Sequence, residues 1–122
     1  VKIESIIRKA IAEAKKSEYK IKVGCVIFDK KKIISTGHNG IRNHKKLHPN
    51  FQRWKGSVHA EVDTIIQAKA DLIGTTMLVV RINNNDELRL AKPCSDCMKY
   101  INHVGIKKVL YSTSNYPYIS TL

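Results

Sequence analysis

At 122 residues, 43% hydrophobic and 26% charged, the chain is long enough for one ordinary domain spanning 1–122 and too short for two. No stretch approaches the roughly 18 to 20 consecutive apolar residues of a membrane helix, no signal-peptide pattern opens the chain and nothing repeats at a fixed period, so a soluble, cytoplasmic protein without membrane contact is expected. The net charge of +12 is lopsided, with 15 Lys/Arg against 4 Asp/Glu in residues 1–58 and 7 against 6 in 59–122; it reads either as a solvated lysine surface or as a field that attracts phosphate, free or on a nucleic acid.

Ile3, Ile6, Ile7, Ala10, Ile11 and Ala14 recur at helical spacing and predict an amphipathic helix over 3–16. Residues 22–28 and 32–36 are β-branched runs separated by Asp29-Lys30-Lys31, which reads as an antiparallel hairpin. Lys30–Lys32 at its tip, like Lys107 and Lys108 at a later strand start, occupy places where lysine is common for no functional reason. From Gly37 to Ser57 the chain is polar and rich in His, Asn and Lys. A loop of that length within one domain is usually functional or mobile. It carries the basic cluster Arg42, Lys45, Lys46, Arg53 and Lys55, and the aromatics Phe51 and Trp54, which either stack on a base or anchor the loop.

A second helix is predicted from Val58, through Val62, Ile65, Ile66 and Lys69, to a stop at Gly74. Thr76–Ile82 is the dense apolar run of a buried central strand, and Asn83–Asp86 a turn. A short Leu88–Leu90 segment leads to Pro93 and a third helix marked by Cys97, Met98, Ile101 and Val104 and closed by Gly105. Residues 107–112 form a further strand, and 113–122 supply one more. The order of elements predicts an α/β fold with helices on both sheet faces and at least two parallel strands.

The chemistry is concentrated in His59-Ala60-Glu61 and Pro93-Cys94-Ser95-Asp96-Cys97. Three cysteines, two of them three apart, argue against a disulfide framework and for thiols in a reducing compartment. Cys94 and Cys97 share one face at a helix N-terminus, where the dipole favours thiolates. With His59 they make three soft or borderline ligands, leaving a fourth tetrahedral position for water, as in a catalytic zinc site. Glu61 is too near His59 in sequence to share its direction, yet it can reach a metal-bound water and shuttle its protons. A structural zinc site completed by Cys25 or a histidine is the plainer alternative. His38, His44 and His48 read as solvated or substrate-loop residues, and Cys25 as a small buried side chain alternating with Val23 and Ile27. Arg81 and Lys92, before the cysteine helix, meet either a phosphate or solvent.

This pairing of H-x-E with P-C-x-x-C resembles the zinc-dependent cytidine/deoxycytidylate deaminase superfamily. Residues 23–27 (VGCVI), 33–40 (IISTGHNG) and 105–111 (GIKKVLY) look like the deoxycytidylate deaminase branch in particular. The resemblance implies a three-layer α/β/α sheet of mixed strand order and a zinc-dependent hydrolase acting on a cyclic amidine. It implies Zn2+ held by His59, Cys94 and Cys97, with Glu61 as the catalytic proton shuttle. Asn39 would contact the sugar, and the backbone around Cys25 and Cys94 would line the base pocket. The implied reaction converts a cytosine nucleotide of the dCMP or CMP type to the uracil nucleotide; the alternative substrate is a cytosine or adenine in single-stranded DNA or RNA. The implied partners are thus a small nucleotide, with nucleic acid as the second class, and further copies of the chain in a homo-oligomer. Asp63 stands where the branch carries Asn, and Cys25 where it carries Ala, departures that bear on substrate choice. His44 and His48 lie where some relatives bind a second zinc, but no loop cysteine accompanies them.

Overall fold

Central strands buried on both faces fix the architecture. In the computed structural model, which describes residues 2–40 and 59–122, the elements are α1 (Ile3–Lys15), β1 (Lys22–Phe28), β2 (Ile33–His38), α2 (Ala60–Gln67), β3 (Thr76–Ile82), β4 (Leu88–Arg89), α3 (Ser95–His103), β5 (Lys108–Ser112) and β6 (Ile119–Thr121). The sheet order is β2-β1-β3-β5-β6, with β4 paired to β3. The β3–β5 pair is parallel, and the other pairs are antiparallel. A parallel neighbour requires a crossover, and α3 lies on the connection from β3 to β5.

Because successive strand residues face opposite sides, the apolar run of β3 feeds two cores at once. Met77 and Val79 join Cys25, Ile27 and Val109 beneath α2 and α3, where Val62, Cys97 and Ile101 are fully buried. Leu78, Val80 and Ile82 join Val26 on the opposite face, covered by Ile6, Ala10 and Ala14 of α1. Those three α1 residues stand four apart, one stripe of the helix, and are wholly inaccessible. The two alanines and Gly24 let α1 lie directly on β1: a Cβ at Gly24 would collide with the Ala10 carbonyl oxygen and the Ala14 backbone nitrogen. The expected α/β/α layering with a mixed sheet is therefore what the chain forms.

The β1–β2 hairpin turns where the composition places it, and Asp29 is the reason. Its Oδ1 accepts the Lys31 and Lys32 N–H groups at 2.8 and 2.9 Å, while its own N–H donates to the Lys32 carbonyl at 3.0 Å. Several boundaries differ from the sequence reading, the ends of β2 and α2 among them. Strand β2 runs on to His38, two residues beyond the expected end. Helix α2 stops at Gln67, not at Gly74. Lys69, Ala70 and Asp71 are exposed and offer no apolar face to continue the helix, and Leu72 is buried beyond its end. Ala68 accordingly adopts extended angles, Asp71 caps the Ile73 N–H at 3.0 Å, and the Thr75 hydroxyl donates to the Leu72 carbonyl at 2.6 Å.

Candidate active site

Two helices begin side by side, and each is entered through a residue with chemistry. His59 is the N-cap of α2 and Cys94 the N-cap of α3, both in extended backbone conformation. Cys94 Sγ accepts the Cys97 N–H at 3.4 Å, so the thiol takes the place a serine or aspartate oxygen holds in an ordinary cap. Pro93 is buried and lies just outside the helix, leaving the first turn's donors intact. The positive ends of two helices thus face one spot.

The three donor atoms converge there. His59 Nδ1 lies 3.1 Å from Cys97 Sγ and 3.8 Å from Cys94 Sγ, and one donor atom from each of the three residues lies within 4.8 Å of the others. Tetrahedral zinc, with bonds of about 2.3 Å to sulfur and about 2.0 Å to nitrogen, places such atoms about 3.6 Å apart, so the donor set fits zinc in spacing and in softness. Its electrostatics point the same way. Burial pushes the Cys97 thiol well up, and the neighbouring Glu61 and Cys94 raise it further. The cluster is short of positive charge, and a divalent cation is the group that supplies it. Cys25 is fully buried on β1 and, among the described residues, does not belong to this donor group. Burial raises its thiol well above the usual range.

Glu61 stands in the first turn of α2, 5% exposed, and lines a cleft of about 360 Å³ together with His59, Ala60 and Cys94. Desolvation raises its carboxyl; its own backbone N–H, His59 and a hydrogen bond with Cys97 pull the other way without cancelling that effect. The cleft's volume is within the range of small-molecule sites, roughly 300–1,000 Å³. Its apolar wall includes Val23, Val79 and Ala91, while Arg81 and Lys92 add two cations. Both were ambiguous in sequence, and both line the cleft.

Asn39 also lines it, but its side chain is tied into the wall. Oδ1 accepts the Val23 N–H at 3.0 Å and Nδ2 donates to the Ile21 carbonyl at 2.7 Å. Tyr19 and Ile21 complete that side, residues that the sequence reading passed over. The hairpin register could have found them, since Asn39 follows directly on His38, which pairs with Gly24 and so faces the start of β1. Asp63, the departure from the branch pattern, is 1% exposed and its Oδ2 accepts the His38 N–H at 3.1 Å. It joins α2 to β2 beside Gly37, where a Cβ would approach Asp63 Oδ2 and Thr64 Oγ1 to 2.6 Å. His38 is not a solvated loop residue: its Nδ1 lies 3.0 Å from Glu13 Oε1 of α1. The expectations for Arg42, His44, Lys45, Lys46, His48, Phe51, Arg53, Trp54 and Lys55 fall outside the described residues.

Known proteins resemble this chain in sequence and in fold. A "Probable deoxycytidylate deaminase" of Drosophila melanogaster is 27% identical, over 75% of this chain and 48% of the fly protein, so the chain spans about half of that relative. The dCMP deaminase of cyanophage S-TIM5, solved in complex with dCMP and dUMP, superposes with a TM-score of 0.68 at 20% identity, covering 91% of this chain and 80% of the phage chain. A RibD structure from Acinetobacter baumannii shares the fold over 96% of this chain and 30% of its own, with a TM-score of 0.58 at 21% identity. The model of the cytidine and deoxycytidylate deaminase zinc-binding region matches residues 1–113, taking in both helix N-termini that carry the donor group. With motif spacing, fold and family match in agreement, the chain belongs to the zinc-binding cytidine and deoxycytidylate deaminase family.

Proposed function

We propose that the chain hydrolyses the 4-amino group of a cytosine nucleotide of the dCMP or CMP type, giving the uracil nucleotide and ammonia. The observation that carries this reading is the meeting of His59, Cys94, Cys97 and the buried Glu61 at one cleft. His59 Nδ1 and the two cysteine sulfurs would hold the zinc. When bound, the metal supplies Lewis acidity that brings the pKa of water near neutrality. Glu61 takes a proton from the attacking water and delivers it to ring N3, then passes a second proton to the departing amine. A C4–O bond forms, the C4–N bond breaks, and ammonia leaves.

The remaining wall residues sort a nucleotide by its parts. Val23, Val79 and Ala91 give the pyrimidine ring an apolar surface that excludes water. Asn39 spends one amide N–H on the Ile21 carbonyl; the amide carries two, and the second is left for a sugar hydroxyl. Arg81 and Lys92 face the 5′-phosphate, where a bidentate guanidinium and a mobile ammonium both suit the charge.

Ammonia release from deoxycytidylate by the zinc-loaded chain tests the reading, with Glu61→Ala as control and a cytosine-containing single strand as the parallel substrate. Release from the free nucleotide that disappears in the variant is the expected result. Release from the strand alone overturns the nucleotide assignment and moves the substrate to the nucleic-acid class. Release from neither, in folded zinc-loaded protein, overturns cytosine deamination itself.

A further inference from the structure

Four lysines that look ordinary in sequence meet in space. Thr76, the first residue of β3, pairs with Phe28 at the end of β1 and with Lys108 at the start of β5. The hairpin tip and the β5 start therefore flank a single strand end. A cleft of about 640 Å³ opens between them, and its charged lining consists of Lys30, Lys31, Lys107, Lys108 and Asp29. The active-site cleft takes Arg81 from the far end of β3, five residues on, which is roughly 17 Å along the strand. The two clefts are distinct.

The walls of this second cleft are held by backbone, so its shape does not depend on the lysine side chains. Lys107 N–H donates to the Thr75 carbonyl and Gly74 N–H to the Gly105 carbonyl, both at 2.9 Å. On the opposite wall Asp29 Oδ1 accepts the Lys31 and Lys32 N–H groups. Four lysines and one carboxylate line the cleft, so cations outnumber anions in its lining. Gathering like charges is unfavourable, and an anion between them reverses the sign of that interaction. Lysine presents a point charge with rotating donors, which suits phosphate; planar carboxylates are better matched by arginine, and none lines this cleft.

We propose that this cleft is a second anion site, taking consecutive phosphate groups such as those of a polyphosphate chain or a single-stranded nucleic-acid backbone. The inference is independent of the deaminase reading, and its test reads binding alone. Inorganic tripolyphosphate and a short oligothymidylate are titrated into the zinc-loaded full chain, as wild type, as Lys30→Gln/Lys31→Gln and as Lys107→Gln/Lys108→Gln. All four side chains are exposed, so far-UV circular dichroism is expected to be unchanged. For the oligonucleotide, each double variant lowers the slope of log affinity against log salt by about 1.4, since each phosphate neutralised on a single strand contributes about 0.7. Weakening of tripolyphosphate alone assigns the site to a free polyphosphate, and the slope change assigns it to a strand. Both probes bound equally by wild type and both variants, or by none of them, overturn the proposal.

Discussion

Glu61 and Cys94 belong to successive helices yet line one cleft, and their substitutions separate a proton-transfer role from a ligand role. Glu61→Ala is expected to keep its zinc and its fold while losing about 10²- to 10⁴-fold in ammonia release, the range a positioned acid–base group contributes. Cys94→Ala removes one of three donors and is expected to lose the metal together with the activity. Metal content and ammonia release on the same samples check both, and full activity in Glu61→Ala would refute the proposed mechanism. A second carboxylate acts on stability and not on chemistry. Glu13 is 5% exposed, and burial by itself raises its carboxyl; the hydrogen bonds and charges of Lys16 and His38 outweigh that and hold it below the ordinary 4.5. Its folded pKa is lower than its unfolded one, so its contribution is complete above about pH 4.5 and fades as pH falls through the folded value. Glu13→Gln is expected to cost about 1–2 kcal/mol at neutral pH, and less as acid protonates the wild-type carboxyl. Urea midpoints from pH 7 down to pH 3 measure it, and a constant difference across that range contradicts the assignment.

At the scale of elements, the closest packing is α1 on β1, and it hangs on a missing side chain. Gly24→Ala would drive a methyl into the Ala10 carbonyl and the Ala14 backbone, neither of which rotates away. The helix must lift, at a cost of about 1–3 kcal/mol, seen as a lower urea midpoint with zinc content unchanged. A midpoint equal to wild type would mean that α1 is less tightly seated than the geometry has it. Most elements were legible because their burial is periodic: Ile6, Ala10 and Ala14 mark α1, and TMLVVRI marks a strand buried on both faces. The site was legible because its residue types are rare and closely spaced, His59 with Glu61 opening one helix and Cys94 with Cys97 the other. What the sequence left dark depends on contacts distant in the chain. The fate of Asn39 is set by a carbonyl just before the neighbouring strand and an N–H within it, and the meeting of Lys30 with Lys107 by the order of strands.

Across the whole molecule, one sheet separates two cores of unlike duty. The face under α1 holds Val26, Leu78, Val80 and Ile82, packed against Ile6, Ala10 and Ala14. The face under α2 and α3 holds Ala60, Cys97 and Ile101 and ends in the donor group at two helix N-termini. In the proposed site a zinc ion would join those termini directly, His59 from one side and Cys94 with Cys97 from the other. Metal binding would then stabilise one face preferentially. At free zinc a hundredfold above its dissociation constant the gain is about 2.7 kcal/mol, so chelation is expected to lower the thermal midpoint by several degrees. The position of the effect tests the assignment more sharply than its size. Amide exchange after chelation is expected to quicken in the first turns of α2 and α3, while α1 and the β1 amides beneath it keep their protection. Uniform loosening of both faces would place the metal's role in the fold at large, and no change on chelation would remove His59, Cys94 and Cys97 as its ligands.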